Sequence, residues 1–178
     1  MRKNTIEIDD DITAVMRGAV RVTFDDGGAV SVYGDVPVTL HPPTNGSGEA
    51  RRPGHRMEDG TIYIGTSPDT GRAFYAAGAD EPRTMTWAEA ILTAVKSNAH
   101  GLTGWRLPTG PELNAMFESK DKGALRGTFN ETAGSLPAAW YWSSTGFSVF
   151  DVYGQRFSDG LQSSYFKLSH SSVRLVRG

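Results

Sequence analysis

Chemistry in this chain would have to come from four histidines, its carboxylates and its hydroxyls, because it has no cysteine. The missing thiol excludes disulfides, cysteine-ligated zinc, iron–sulfur clusters, thiolate nucleophiles and thiol redox switches. His41, His55, His100 and His170 show neither H-x-x-x-H spacing nor an acid at ligand spacing, so no zinc site is expected. His41 sits in a Pro- and Gly-rich stretch, and His100 falls at the end of an expected helix, where a cation suits the dipole. Asp9-Asp10-Asp11 lacks the Gly and Glu offsets of a calcium loop and reads as a solvated turn. No G-x-S-x-G, Walker A or G-x-G-x-x-G motif occurs. Asp25-Asp26-Gly27-Gly28 has neither the lysine nor the following helix of a phosphate loop. Arg51-Arg52 with Arg56 reads as solvated charge. No acid/base constellation converges, so neither an enzyme nor a cofactor is expected.

The frame that positions these residues is of ordinary size. The chain has 178 residues, 38% hydrophobic and 21% charged, which fits a globular protein. Its formal net charge of −2 supplies no basic field for nucleic acid or anionic lipid. No run of 18 apolar residues is present to span a bilayer. Met1-Arg2-Lys3-Asn4 is followed by Thr-Ile-Glu-Ile-Asp-Asp-Asp, so no signal peptide is expected and the location is cytoplasmic or virion-associated.

Residues 1–40 alternate apolar and polar positions (Ile6 and Ile8; Val20, Val22 and Phe24; Val30 and Val32; Val36, Val38 and Leu40), the period-2 pattern of half-buried strands. Asp25–Gly28 would turn a hairpin between two of them. The module's core is thin, and it is expected to dock or oligomerise. Residues 41–54 hold three Pro and three Gly without periodicity and read as a linker.

Residues 55–178 read as one α+β domain. Thr61–Ile64 and Arg72–Ala77 flank the turn Ser67–Gly71 as a hairpin. Thr86-Trp87-Ala88-Glu89 is a capping box opening a helix with Trp87, Ile91, Ala94, Val95 and Asn98 on one face and Gly101 as its stop. Thr109-Gly110-Pro111-Glu112 opens a second, shorter helix carrying Leu113, Met116 and Phe117. From Trp140 the pattern is β again: 140–144, 147–153, 155–158, 161–168 and 172–177, with breaks at Gly146, Gly154 and Asp159-Gly160.

Nine of the chain's eighteen aromatics and nine serines fall within residues 140–178. Aromatics give contact area at low entropy cost and Ser gives adaptable hydrogen bonding, the composition of binding surfaces. Trp140, Trp142, Phe157 and Val173 read as core. Phe147–Tyr153 presents bulk at both parities, which a strand with one buried face does not need, so one side of it is a candidate exposed patch.

Gly104-Trp105-Arg106-Leu107-Pro108-Thr109 with Glu112-Leu113, then Tyr141-Trp142-Ser143-Ser144-Thr145, then Phe157-Ser158-Asp159-Gly160, then Val173–Arg177 occur in that order. The sequence from about residue 57 to 178 thereby resembles the domains typified by the C-terminal domain of collagen-like adhesins. These resemble the C-type lectin fold in the branch shared with formylglycine-generating enzymes. The resemblance implies two helices on a twisted antiparallel sheet with long loops on one side. It implies that Trp105 and Trp142 anchor the core and that Arg106 and Arg174 pair with buried carbonyls or acids. It places function in the loops between Trp142 and the last strand. Members bind glycans or proteins, and some are phage receptor-binding proteins diversified by retroelements, whose residue palette Phe147–Tyr153 and Ser163–Phe166 match. The cysteines of the formylglycine-generating enzymes are absent here, so that chemistry does not carry over. The Glu-Pro-Asn and Gln-Pro-Asp triplets of calcium-dependent lectins are absent too.

The expectation is thus a β-rich module (1–40), a linker (41–54) and a lectin-like binding domain (55–178) that takes a protein or glycan receptor. Phe147, Phe150, Asp151, Tyr153, Tyr165 and Lys167 are the candidate contact residues. A homo-oligomer is expected, with a trimer among the options. A structural virion subunit, and an enzyme with a non-cysteine loop site, are the alternatives.

Overall fold

The computed structural model describes the strand pairing within residues 12–40, and residues 51–178 apart from 135, 136 and 138. The chain divides into two compact units, Met1–Arg51 and Arg52–Gly178.

In the first unit, β1 (Ile12–Met16) pairs antiparallel with β4 (Val36–Leu40), and β2 (Ala19–Thr23) with β3 (Ala29–Tyr33). The last three strands coincide with the alternating runs in the sequence. Ile6, Ile8, Asp9–Asp11, Phe24, Asp25–Gly28 and His41 lie outside the described residues.

The second unit is α+β, with two helices and two antiparallel three-stranded sheets where a single sheet was expected. The first sheet has the order β10-β6-β5, built from β5 (Ile62–Thr66), β6 (Ala73–Ala76) and β10 (Val176–Arg177). The second is the meander β7 (Trp140–Gly146), β8 (Asp151–Arg156) and β9 (Gln162–Phe166). The segment before β10 joins the sheets. Ser171 bridges Met85, Ser172 bridges Tyr141 and Val176 bridges Arg106.

Helix α1 spans Trp87–Lys96 and α2 spans Gly110–Ser119, each with both hydrogen bonds of its capping box formed. Both helices have ten residues, so the second is not the shorter. Helix α1 ends at Lys96 instead of running to Gly101, because Ser97 turns extended and accepts the Ala99 N–H on its own hydroxyl. Its inward face is Ala90 and Ala94 flanked by half-buried Trp87 and Ile91, while Val95, expected inside, points out. His100 is the middle residue of a following 3-10 turn, Ala99–Gly101, and lies in the left-handed region; its Nε2 accepts from the Gly78 N–H, so it is engaged away from the α1 terminus.

Two apolar clusters form, and β7 runs between them. Tyr141 enters the cluster of Ile62, Phe74, Leu113, Met116 and Phe157 under α2. Trp142 enters that of Ala90, Trp105, Leu107, Val152 and Val173 under α1. The buried Trp142 indole N–H is satisfied by the Met85 carbonyl at 2.8 Å. Trp105 and Trp142 are the anchors that the motif order implies, and Trp140, Phe157 and Val173 are buried too.

Two ion pairs brace the clusters. Arg106 grips Glu112 through both terminal guanidinium nitrogens, at 2.6 and 2.8 Å, and the Ser67 hydroxyl donates to the same carboxylate. Burial pushes the Glu112 carboxyl up, but the hydrogen bonds from Arg106, Ser67 and the Thr109 N–H outweigh it, and its pKa lies below the usual value. Arg174, fully buried, meets Asp80 at 2.8 Å and the carbonyls of Ala77 and Thr128. Burial pushes the Asp80 carboxyl above its usual value, against the opposing pull of Arg174 and of the Tyr141 hydroxyl.

Candidate ligand-binding face

The turn between β7 and β8 is where the structure departs most from the alternating pattern. Residues 147–150 form a tight turn, not the start of a strand, and β8 begins at Asp151. The physical reason is Ser148. Its hydroxyl accepts the N–H groups of Phe150 and Asp151, at 3.1 and 2.9 Å, and donates to the Asp151 carboxylate at 2.8 Å. A Ser side chain that captures its neighbours' N–H groups offers the backbone an alternative to a ladder. The Phe147 and Ser148 N–H groups both donate to the Asp151 carbonyl. The bulk at both parities belongs to two local structures, a turn and a strand.

Lys167, just after β9, closes the turn from the other side. Its N–H donates to the Phe150 carbonyl at 2.9 Å. Its ammonium donates to the carbonyls of Ser148 and Val149, at 3.0 and 2.9 Å, and lies 5.1 Å from the Trp87 ring centroid. Trp87 is itself fixed by its indole N–H on the Ser143 carbonyl. The turn is therefore tied to the start of α1 as well as to its own sheet.

This frame holds large apolar side chains in solvent. Phe147 is 58% exposed, Val149 81% and Phe150 66%. Phe147 stands edge-on to Tyr153 at 5.2 Å, and Phe150 lies 6.4 Å from Phe166. The β8–β9 register explains the sharing. Asp151 pairs with Phe166 and Tyr153 with Ser164, so these four project on one face.

The same register separates Tyr165 from the other candidates. It pairs with buried Val152 and so points inward. Its ring packs on Trp140 and Trp142 at 4.7 and 5.4 Å, and its hydroxyl is buried with no partner among the described residues. Burial accordingly drives its pKa far upward. Gly154 makes this packing possible, since a Cβ there would stand 2.6 Å from the Tyr141 carbonyl oxygen and 2.7 Å from the Tyr165 hydroxyl.

Of the six candidates, the structure brings Phe147, Phe150, Asp151, Tyr153 and Lys167 together at the turn. Asp151 and Lys167 are occupied in shaping it, and Phe147, Phe150 and Tyr153 are its display. Val149 and Phe166 lie in the stretches Phe147–Tyr153 and Ser163–Phe166 marked in the sequence but not among the six contact candidates, and Leu168 was not marked at all; all three are exposed. The i, i+2 spacing of Phe166 and Leu168, opposite in parity to Tyr165, was the available signal, although Leu168 lies in the turn beyond β9.

Beside Tyr153 the sheet meets the first turns of α2 in an open groove of about 450 Å³. Asn114 from α2, Gln155 from β8 and Gln162 from β9 meet there, with Asn114 Oδ1 accepting from both glutamine amides at 2.9 and 3.3 Å. Among the described residues no group of three or more His, Asp or Glu side chains gathers as a metal ion would need.

A family model described as the Lcl C-terminal domain matches residues 66–177, from the end of β5 to the end of the last strand. No curated protein matches the chain. The matched segment contains both capping boxes, the Trp105 and Trp142 anchors, both ion-paired arginines and the aromatic turn, and the chain belongs to the Lcl C-terminal domain family.

Proposed function

We propose that this protein is a non-enzymatic receptor-binding module of C-type-lectin-like fold, which presents the turn 147–150 and the adjoining face of β8 and β9 to a protein or glycan receptor. The observation that carries the reading is the pairing of exposure with order. Phe147, Val149 and Phe150 stand in water, yet the backbone beneath them is held by Ser148, Asp151 and Lys167. Contiguous exposed apolar area of this kind marks an interaction site. A pre-ordered one loses less entropy on association. The shifted carboxylates Asp80 and Glu112 and the Tyr141 hydroxyl are engaged in scaffold pairs, and Tyr165 is shifted by burial in the core, which favours binding over catalysis. The family and the aromatic and serine palette favour an adhesin or phage fibre setting, with diversification of the C-terminal segment by a retroelement. The first unit would then dock or oligomerise the module.

The test compares the native chain with a Phe150→Ala, Tyr153→Ala double variant on intact cells and on arrayed glycans and proteins. Loss of binding with an unchanged fold supports the reading. Unaltered binding overturns it. Protection of Phe150 in a stable oligomer, seen by light scattering with hydrogen exchange, would instead make the turn an assembly contact.

A further inference from the structure

The two sheets of the second unit have four outer edges, and other parts of the chain cover three of them. Along β5, the Gly54 N–H donates to the Tyr63 carbonyl at 2.8 Å and the Tyr63 N–H to the His55 carbonyl at 2.9 Å. Arg106 exchanges both backbone hydrogen bonds with Val176 of β10, each at 2.9 Å. Along β7, the Trp142 N–H donates to the Ser172 carbonyl and the Ser144 N–H to the Pro108 carbonyl. The fourth edge is the outer side of β9.

The phase of the β8–β9 ladder shows what that edge leaves over. The Arg156 N–H donates to the Leu161 carbonyl and the Lys167 N–H to the Phe150 carbonyl, so the odd-numbered residues of this stretch turn their backbone groups to β8. Those of Gln162, Ser164 and Phe166 therefore point away from the sheet. Their N–H groups have no partner among the described residues. The Gln162 carbonyl is equally free, that of Ser164 meets only the neighbouring Ser163 hydroxyl at 3.5 Å, and that of Phe166 accepts from the Ser169 N–H at 2.8 Å. Exposed edges are ordinarily blunted by lysine, proline or a bulge. Residues 160–166, Gly-Leu-Gln-Ser-Ser-Tyr-Phe, carry no charge and no proline, and β9 keeps an unbroken register with β8. An unblunted edge of this kind is a template for another strand.

We propose that β9 pairs antiparallel with β9 of a second copy of this chain, about a two-fold axis at Ser164. Ser164 then faces the copy's Ser164, and Gln162 faces the copy's Phe166. Outward donors meet outward acceptors, and no charged residue of one strand opposes a like charge of the other. A second copy is favoured over a flexible peptide because its β9 is already extended and held by β8, whereas a peptide must lose backbone freedom residue by residue. The axis stands perpendicular to the sheet, so the two meanders become six continuous strands and both 147–150 turns look out from one face. A five-residue edge falls short of the roughly 1,200–2,000 Å² that stable interfaces bury, so the pairing is weak and concentration-dependent. The proposal goes beyond the receptor reading and uses none of the turn's side chains.

The experiment is analytical ultracentrifugation of the full chain over a concentration series, joined to disulfide mapping, which the absence of native cysteine keeps clean. The expected result is a monomer–dimer equilibrium. It should weaken about tenfold or more in Ser164→Pro, which removes two interchain N–H donors at an edge position that tolerates proline, and in Ser164→Lys, which sets two like charges opposite each other. Ser164→Cys should give an oxidised dimer, because opposed residues of a hydrogen-bonded pair lie about 5.5 Å apart at Cα, within disulfide reach. Gln162→Cys and Phe166→Cys should each stay unlinked alone, since their own equivalents lie about 14 Å apart along the strands, and should crosslink when mixed. Where Ser164→Pro fails to fold by circular dichroism, the lysine and cysteine variants carry the test. A native chain that stays monomeric to millimolar concentration, association unchanged by the Ser164 variants, or Gln162→Cys crosslinking alone as readily as in the mixture, would overturn the proposal. So would an unrelated extended peptide that adds to β9 while the chain remains monomeric.

Discussion

Trp140-Tyr141-Trp142 and Phe147-Ser148-Val149-Phe150 lie on either side of the same strand end, are similarly rich in large apolar side chains, and have opposite fates. The first triplet is buried at every position, because β7 runs between two apolar clusters and each parity finds a core. The second stands in water, because a serine hydroxyl and a lysine ammonium take over the backbone hydrogen bonds and bend the chain off the sheet. Residue type alone would bury both, and the sequence set them apart only by the bulk at both parities of the second. What separated them was where the backbone polar groups found partners.

Breaking the first half of this contrast has the largest effect. Trp142→Ala removes a fully buried ring and is expected to cost about 3–5 kcal/mol in urea unfolding. A cost below about 1 kcal/mol would mean that β7 is not the divider between the clusters. Glu112→Gln keeps the helix cap, since glutamine also closes a capping box, but discharges the partner of Arg106. Its expected cost is about 1–3 kcal/mol, toward the low end because Arg106 reaches solvent.

The same carboxylate gives the pH dependence. Its folded pKa is depressed, so its contribution to stability is fully present above the unfolded value of 4.5 and is lost as pH falls through the lower folded value. Denaturation midpoints should fall between pH 4.5 and the folded value in the native chain, and the fall should be shallower in Glu112→Gln. An equal fall in both would assign the acid sensitivity to other carboxylates. The smallest effect sharpens the second half of the contrast. Phe150→Ala and Val149→Ser should change stability by no more than about 0.5 kcal/mol, since both side chains are mostly in water. A loss above about 2 kcal/mol would show that the turn's side chains are structural.

The local signals were legible in the sequence, and the long-range ones were not. Thr86–Glu89 and Thr109–Glu112 specified both helix starts within four residues. The 61–77 hairpin was equally local. The pairing of Arg106 with a buried acid, and of Arg174 with buried carbonyls and an acid, was legible only through the order of the family's motifs. The inward turn of Tyr165 was hidden, because strand register, not composition, sets which parity faces the core, and that register is fixed by pairing with Val152. Val95 was misplaced because the helix face is centred on Ala90 and Ala94, small residues that carry little periodic signal. The groove amides were beyond reach, since Asn114 and Gln155 are 41 residues apart and meet only in the packed fold.

The bonds that hold the 147–150 turn have a consequence for how the protein can change. The Lys167 ammonium and the Phe147 and Ser148 N–H groups act on backbone carbonyls, which every amino acid carries, and from Phe147 to Asp151 it is Ser148 and Asp151 that are tied through their own side chains. Positions 147, 149 and 150 can therefore exchange their side chains without untying the loop. The chemistry shown to a partner is written there in letters that the folding of the domain does not read.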